Sequence, residues 1–222
     1  MALTKTRRLT RAAEAESLLA EQRQKRRIEL AIALMLLWPS GEDSEISSLA
    51  SAITVGTVES FRSGSRFAGR DVALLGGLLG AQIAHVAVKP DVNEWADRAR
   101  IGARNWFSAW RDKIAELEPS YGLTSAKAAA GQLEWRVNRI AATETPQAFN
   151  EARRDSIRAS VDKSGVDPAL IERVWVCELD ACPVCFGLAG TTARLDGPYP
   201  HGHEPGGVHN HCRCSEDFRT VR

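Results

Sequence analysis

The chain has no excess of charge: 29 Lys and Arg stand against 28 Asp and Glu, a net of +1. Bulk attraction to nucleic acid or to an anionic membrane is not expected, so such contact has to come from local clustering. The layout of a secretion signal is missing too, since the first apolar run, Ile28 to Trp38, starts late and has no small-residue cleavage pattern after it. A second apolar stretch, Val72 to Val88, carries no charge but contains Gly76, Gly77, Gly80, Gln82 and His85. Its length is at the lower limit for spanning a bilayer, and a buried helix without stable membrane insertion is the expectation. No phosphate-cradling glycine loop is present, because Gly76-Gly77-Leu78-Leu79-Gly80 lacks both the lysine and the preceding strand. With few cysteines and no secretion signal, a reducing compartment is expected, where close cysteine pairs more often bind metal than form disulfides.

What is present is mostly helix. Residues 5–37 are rich in Ala, Leu, Glu, Gln, Lys and Arg, with no Gly or Pro before Pro39, and Leu18, Leu19, Ile28, Ile32, Met35 and Leu36 suggest the apolar face. Helical patterns continue over 45–60 and 68–88. After Pro90, Asp91 is placed to cap a helix with a recurring apolar set of Trp95, Ile101, Trp106, Trp110, Ile114 and Leu117. Pro119–Gly122 predicts a break and Thr124 or Ser125 a restart. Thr145-Pro146 predicts another interruption, and Gly165 a terminator. From Arg173 the pattern becomes strand-like, Val174 and Val176 alternating with Trp175 and Cys177. The fold class expected is a mainly α-helical body over 1–165 with a small C-terminal α+β segment over 166–222. That segment is rich in Gly and Pro and cannot build much of a core alone.

Four of the five cysteines and four of the five histidines fall between 182 and 214. The order is Cys182-Pro183-Val184-Cys185, a 23-residue loop, then His209-Asn210-His211-Cys212-Arg213-Cys214. Two thiolates in a tight turn and a His-x-x-Cys pair from a distant segment make a Cys₃His set suited to structural zinc, with no position left for water. The expected ligands are Cys182, Cys185, His209 and Cys212. Cys214 is a substitute for Cys212, and His211 is a further donor, as are His201 and His203 in the loop. Cys177 reads as a small buried hydrophobe. Metal binding would then supply folding energy that the missing core does not. The string His209-Asn210-His211 does not make a nuclease site, because adjacent side chains on extended backbone point to opposite faces and cannot converge.

Two separated blocks resemble the phage head morphogenesis family, the minor head proteins similar to phage Mu protein F. The first is Ile140-Ala141-Ala142-Thr143-Glu144-Thr145 followed by Ala148-Phe149-Asn150-Glu151-Ala152-Arg153. The second runs through Trp175, Asp180, Cys182, Cys185, Leu188 and Gly190 to Pro205, His209 and Cys212-Arg213-Cys214. Together they cover roughly 140–219; residues 1–120 carry no match beyond helical character.

The resemblance implies a structural role and no enzyme activity. Such a protein sits in the head interior, associates with the portal and other capsid proteins, and assembles in the host cytoplasm. It acts in head morphogenesis and in some members contacts phage DNA; no small-molecule substrate is implied. Glu144 is then either an ion-pair partner of Arg213 or a helix-surface carboxylate. Asp180 shapes the turn before Cys182 or orients a ligand, and Trp175 packs the small segment against the helices. Arg7, Arg8, Arg11, Arg23, Lys25, Arg26 and Arg27 form a basic arm that is either a DNA contact or a solvated helix face. The alternative function is a zinc-stabilised DNA-binding module of cellular origin.

Overall fold

The computed structural model describes residues 12–28, 42–130, 133–177, 181–209 and 212–221. Arg7, Arg8, Arg11, Asp180 and His211, all singled out above, lie outside them. The chain is mainly helical, with a small antiparallel sheet towards its C-terminus. Residues 12–28 form helix α1, followed by α2 (Glu42–Leu79), α3 (Val92–Ala130) and α4 (Leu133–Ser164). A 3₁₀ turn (Pro168–Leu170) leads into β1 (Ile171–Val176), the short helix α5 (Pro183–Leu188), β2 (Thr192–Arg194) and β3 (Ser215–Thr220). Among the described residues no helix is long and apolar enough to cross a membrane.

Three helix boundaries differ from those the sequence predicts. α2 is one helix, not two, and it stops at Leu79 instead of running to 88. Gly80 takes φ +65°, a conformation open to glycine, and the Ala81 N–H returns to the Gly76 carbonyl at 2.9 Å, which closes the helix end. α3 continues through Pro119 to Ala130. Positions 115 and 119 are both exposed, so the proline lies on a stretch of α3 that water can reach. α4 likewise runs unbroken through Pro146, with the Ser60 hydroxyl donating to the neighbouring Thr145 carbonyl at 2.8 Å.

Two compact units are formed. One is made of Gln22–Thr57 and Asp91–Ala141. Its core joins Ile28, Ile46, Leu49 and Ile53 with Ala99, Ala103 and Phe107. Trp95, Ala99, Ala103 and Phe107 follow at four-residue steps, so the small alanines define the buried face of α3 and Ile101 is left exposed.

The second unit gathers the start of α1, Val58–Pro90 and Ala142–Arg222. Leu18 and Leu19 of α1 are exposed, and the smaller Ala13 is its buried contact, beside Phe67 and Phe149. α2 and α4 approach so closely that a Cβ on Gly64 would lie 2.1 Å from the Phe149 carbonyl oxygen. The sheet has the order β2-β1-β3, with β1 antiparallel to both neighbours and Val174 opposite Asp217. Ile171, Leu195 and Phe218 from the sheet region meet Val72, Leu75, Ile157 and Val161 from the helices. Burial of each such side chain contributes on the order of 2 kcal/mol.

The segment after Gly80 lies along α4. The N–H groups of Ala84, Val86 and Val88 donate to the hydroxyls of Ser164, Ser160 and Ser156, at 3.2, 2.8 and 3.4 Å. Two residues of extended chain and four residues of helix both advance about 6 Å, so the alternate amides and the serine row stay in step.

Candidate metal centre

Cys182 caps α5, with its Sγ accepting from the Cys185 N–H at 3.5 Å and its carbonyl accepting from Phe186 at 2.9 Å. Pro183 at the first helical position fixes the turn and has no N–H to satisfy. Both thiols of the Cys-x-x-Cys pair are thereby brought to one side, Cys185 buried and Cys182 half-buried. The second arm is a turn in which the Cys212 N–H donates to the His209 carbonyl at 3.1 Å. His209 Nε2 lies 3.2 Å from Cys182 Sγ and 3.0 Å from Cys185 Sγ. Cys185 and Cys212 sulfurs are 3.8 Å apart.

Among the described residues two triads have donor atoms within 4.8 Å of one another: Cys182, Cys185 and His209, and Cys185, Cys212 and Cys214. Cys185 belongs to both and draws the five donors into one cluster, which could hold a metal ion. A tetrahedral ion with sulfur at ~2.3 Å and nitrogen at ~2.0 Å sets S···S near 3.8 Å and S···N near 3.5 Å. The Cys185–Cys212 separation already matches, and the His209 ring needs to withdraw by only a few tenths of an ångström. All the cysteines are free thiols.

The thiols are electrostatically unequal. A hydrogen bond from the Cys214 thiol, reinforced by backbone N–H groups of Cys214, Val208 and Gly206, holds Cys212 down to about 5. As the donor in that bond, and buried besides, Cys214 is pushed well up. Burial pushes Cys185 up to about 12, whereas the Cys185 backbone N–H draws Cys182 down. A cation placed at Cys185 would offset the burial of that thiolate.

Trp175 packs here, in a small core with Cys185, Tyr199, Cys212 and Cys214, and Cys177 lies partly buried against it. Contact with the helices falls to Ile171, Leu195 and Phe218 instead. His201 stacks on Tyr199 at 5.4 Å between ring centres and meets Trp175 edge-on at 5.0 Å. His203 stacks beyond it at 5.7 Å, so two loop histidines pack on the core's aromatic edge.

The cluster is joined to α4 by the first sequence block. Asn150 Nδ2 donates to the Cys214 carbonyl at 2.9 Å. Arg153, fully buried, donates to the Glu216 carbonyl at 2.6 Å and grips Asp71 of α2 through two bonds of 2.6 and 2.9 Å. Burial works against its charge, but Asp71 more than offsets this and the Arg153 pKa is raised. Gly206, at φ +85°, leaves room for only 3.0 Å between a Cβ and the Gln147 backbone, so the loop rests directly on α4. Glu144 is half-buried on α4. Arg213 is exposed and borders a hollow with Glu14, Asn150 and Cys214.

Sequence reasoning missed a second buried network. Arg173 points into the protein from β1, bonding Glu216 at 3.1 Å, Glu204 at 2.8 Å and the Gly197 carbonyl. Arg154 also reaches Glu204, at 2.7 Å, and Arg173 lies over the Tyr199 ring. Burial raises the Glu216 pKa against the pull of Arg173. The one available signal was an arginine at the inward-facing position between Ile171 and Trp175. Of the basic arm, Arg23 and Arg26 are exposed on α1, while Lys25 and Arg27 are half-buried. Comparison of the chain with family models, with curated proteins and with solved structures gives no match.

Proposed function

We propose that this chain is a minor head protein of a tailed bacteriophage, acting in head morphogenesis with the portal, and that its Cys/His cluster is a structural zinc clip. One observation carries the reading: the two sequence blocks that resemble the head morphogenesis family interlock across more than sixty residues of chain, Asn150 on the Cys214 carbonyl and Arg153 on the Glu216 carbonyl. Residues that carry the resemblance thus help to fasten the Cys/His ribbon to α4, together with Arg154 on Glu204. Zinc suits the donor set because thiolate and imidazole both match it, and five protein donors for four positions leave none for a reacting water. The role is architectural, without catalysis. Its setting is the host cytoplasm during assembly and the virion interior near the portal afterwards.

The test has two parts. Metal content by mass spectrometry should give about one zinc per chain, lost in the Cys182→Ser/Cys185→Ser double variant. Co-expression with the portal protein of the same phage should give a complex that sediments together, weakened in the double variant. Metal-free protein from reducing buffer would sink the clip, and a portal that never co-sediments with wild type would sink the head-protein role.

A further inference from the structure

α2 carries three arginines on its outer face, Arg62, Arg66 and Arg70, all exposed. Steps of four residues place them about 6 Å apart along one side of a rigid helix. Among the described residues none has a carboxylate within ion-pair distance. Arg66 bonds only the Ser63 hydroxyl, at 3.4 Å, and Arg70 lies over the Phe67 ring at 5.1 Å. Of the carboxylates flanking it, Glu16 accepts from Ser63 at 2.8 Å and Glu59 is half-buried. On the other flank the extended segment adds basic groups. The His85 ring lies over Gly69, and the Val88 N–H bonds Ser65 at 3.1 Å, one residue before the exposed Lys89.

We propose that this arginine row is a binding surface for the phosphate backbone of duplex DNA, made of residues other than those of the basic arm and of the metal cluster. The chain as a whole is almost neutral, so three guanidiniums in line, with no carboxylate partner among the described residues, are a local concentration of charge that suits a polyanion. An anionic membrane fits less well, because a helix that lies on lipid interleaves large apolar side chains with its basic ones. Between Arg62 and Arg70 the large apolar Phe67 is buried, and the exposed Leu78 lies two turns beyond the row. Single strands fit less well for a related reason: they are held by aromatic rings exposed for base stacking, and Phe67, the one aromatic residue between Arg62 and Arg70, is buried. With no groove or amide side chain to read bases, the contact is independent of sequence and sensitive to salt.

The proposal goes beyond the head-protein reading and does not require the metal, so the two can fail separately. The experiment follows binding of the full chain to a fluorescent duplex of mixed sequence across a salt series. Wild type should bind with an affinity that falls linearly with salt on logarithmic axes. The Arg62→Gln/Arg66→Gln/Arg70→Gln variant should lose affinity at least tenfold, and its salt slope should drop by about 2 to 3. Because Arg70 stacks on Phe67, the Arg62→Gln/Arg66→Gln pair is measured too; with Arg70 retained it should lower the slope by about 2. Arg104→Gln, exposed on α3, should change the slope by no more than about 1. No DNA binding by wild type, or an unchanged slope in the stripe variants with unchanged thermal unfolding, overturns the proposal. So does binding to anionic vesicles that depends on the stripe when duplex binding does not.

Discussion

At the scale of single residues, the C-terminal region is governed by what burial does to polar groups. Arg153 and Arg173 are both fully buried, and both keep their charge because carboxylates are placed against them. Such pairs are poor evidence for stability, yet removing one partner costs about 3–5 kcal/mol because the other is left uncompensated. Their use here is positional, since each arginine also binds a backbone carbonyl that must not shift, Glu216 for Arg153 and Gly197 for Arg173. His201 is a smaller case with a testable sign. Its Nδ1 accepts from the His203 N–H at 3.2 Å, which requires the neutral ring with the proton on Nε2, facing Thr191. Burial, and then the neighbouring His203, hold its pKa below the ordinary histidine value. The unfolded chain therefore takes up this proton at higher pH than the fold does. The contribution to stability is complete above the unfolded pKa of about 6.5 and is lost as pH falls through it towards the folded value. Denaturant unfolding of wild type and His201→Asn across that window should show a steeper loss in wild type. Identical pH slopes would remove the argument.

At the scale of elements, the serine row shows how a helix can hold an extended segment without forming a sheet. Ser156, Ser160 and Ser164 accept from alternate amides of 84–88, and Ser160 also donates to the Ser156 carbonyl at 2.6 Å. Ser160→Ala leaves the half-buried Val86 N–H without its acceptor, an expected loss of about 1–2 kcal/mol. Hydrogen exchange should locate the change, with protection lost at Val86 and kept at Ala84. Uniform loss at both amides would mean the segment is held by packing and not by the row. Serines at four-residue spacing are visible in the sequence. What they bind was not, because the helix predicted over 68–88 would have satisfied those amides within itself, and one glycine at φ +65° decided otherwise. The prolines make the converse point: Pro119 and Pro146 signal breaks locally, yet both helices run through them, since one missing hydrogen bond is outweighed by packing and solvation over thirty residues and more.

At the scale of the whole molecule, the two units have separate cores, one built on Ile28, Leu49, Ala103 and Phe107 and the other on the helices and ribbon that carry the cysteines. The candidate metal cluster belongs to only one of them. Chelation should therefore raise hydrogen exchange in β1, β3 and α5, and in the α4 turn around Asn150, with exchange of the Ile46–Ile53 and Ala99–Phe107 amides unchanged. Equal destabilisation of both cores would show that the metal, if present, acts on the protein globally.

The sequence by itself determined the mainly helical character of the chain, the strand beginning near Arg173, and the candidate cysteine and histidine donors. These rest on local propensity and on ligand chemistry, both written in residues close together along the chain. Tertiary structure alone decided that five of the candidate donors converge, where Trp175 packs, that alanines and not Ile101 form the inner face of α3, and that Arg173 points inward to Glu216 and Glu204. Those outcomes depend on residues tens of positions apart meeting at distances of a few ångströms. Charge burial and close helix approach set such distances, and neither leaves a periodic trace in sequence.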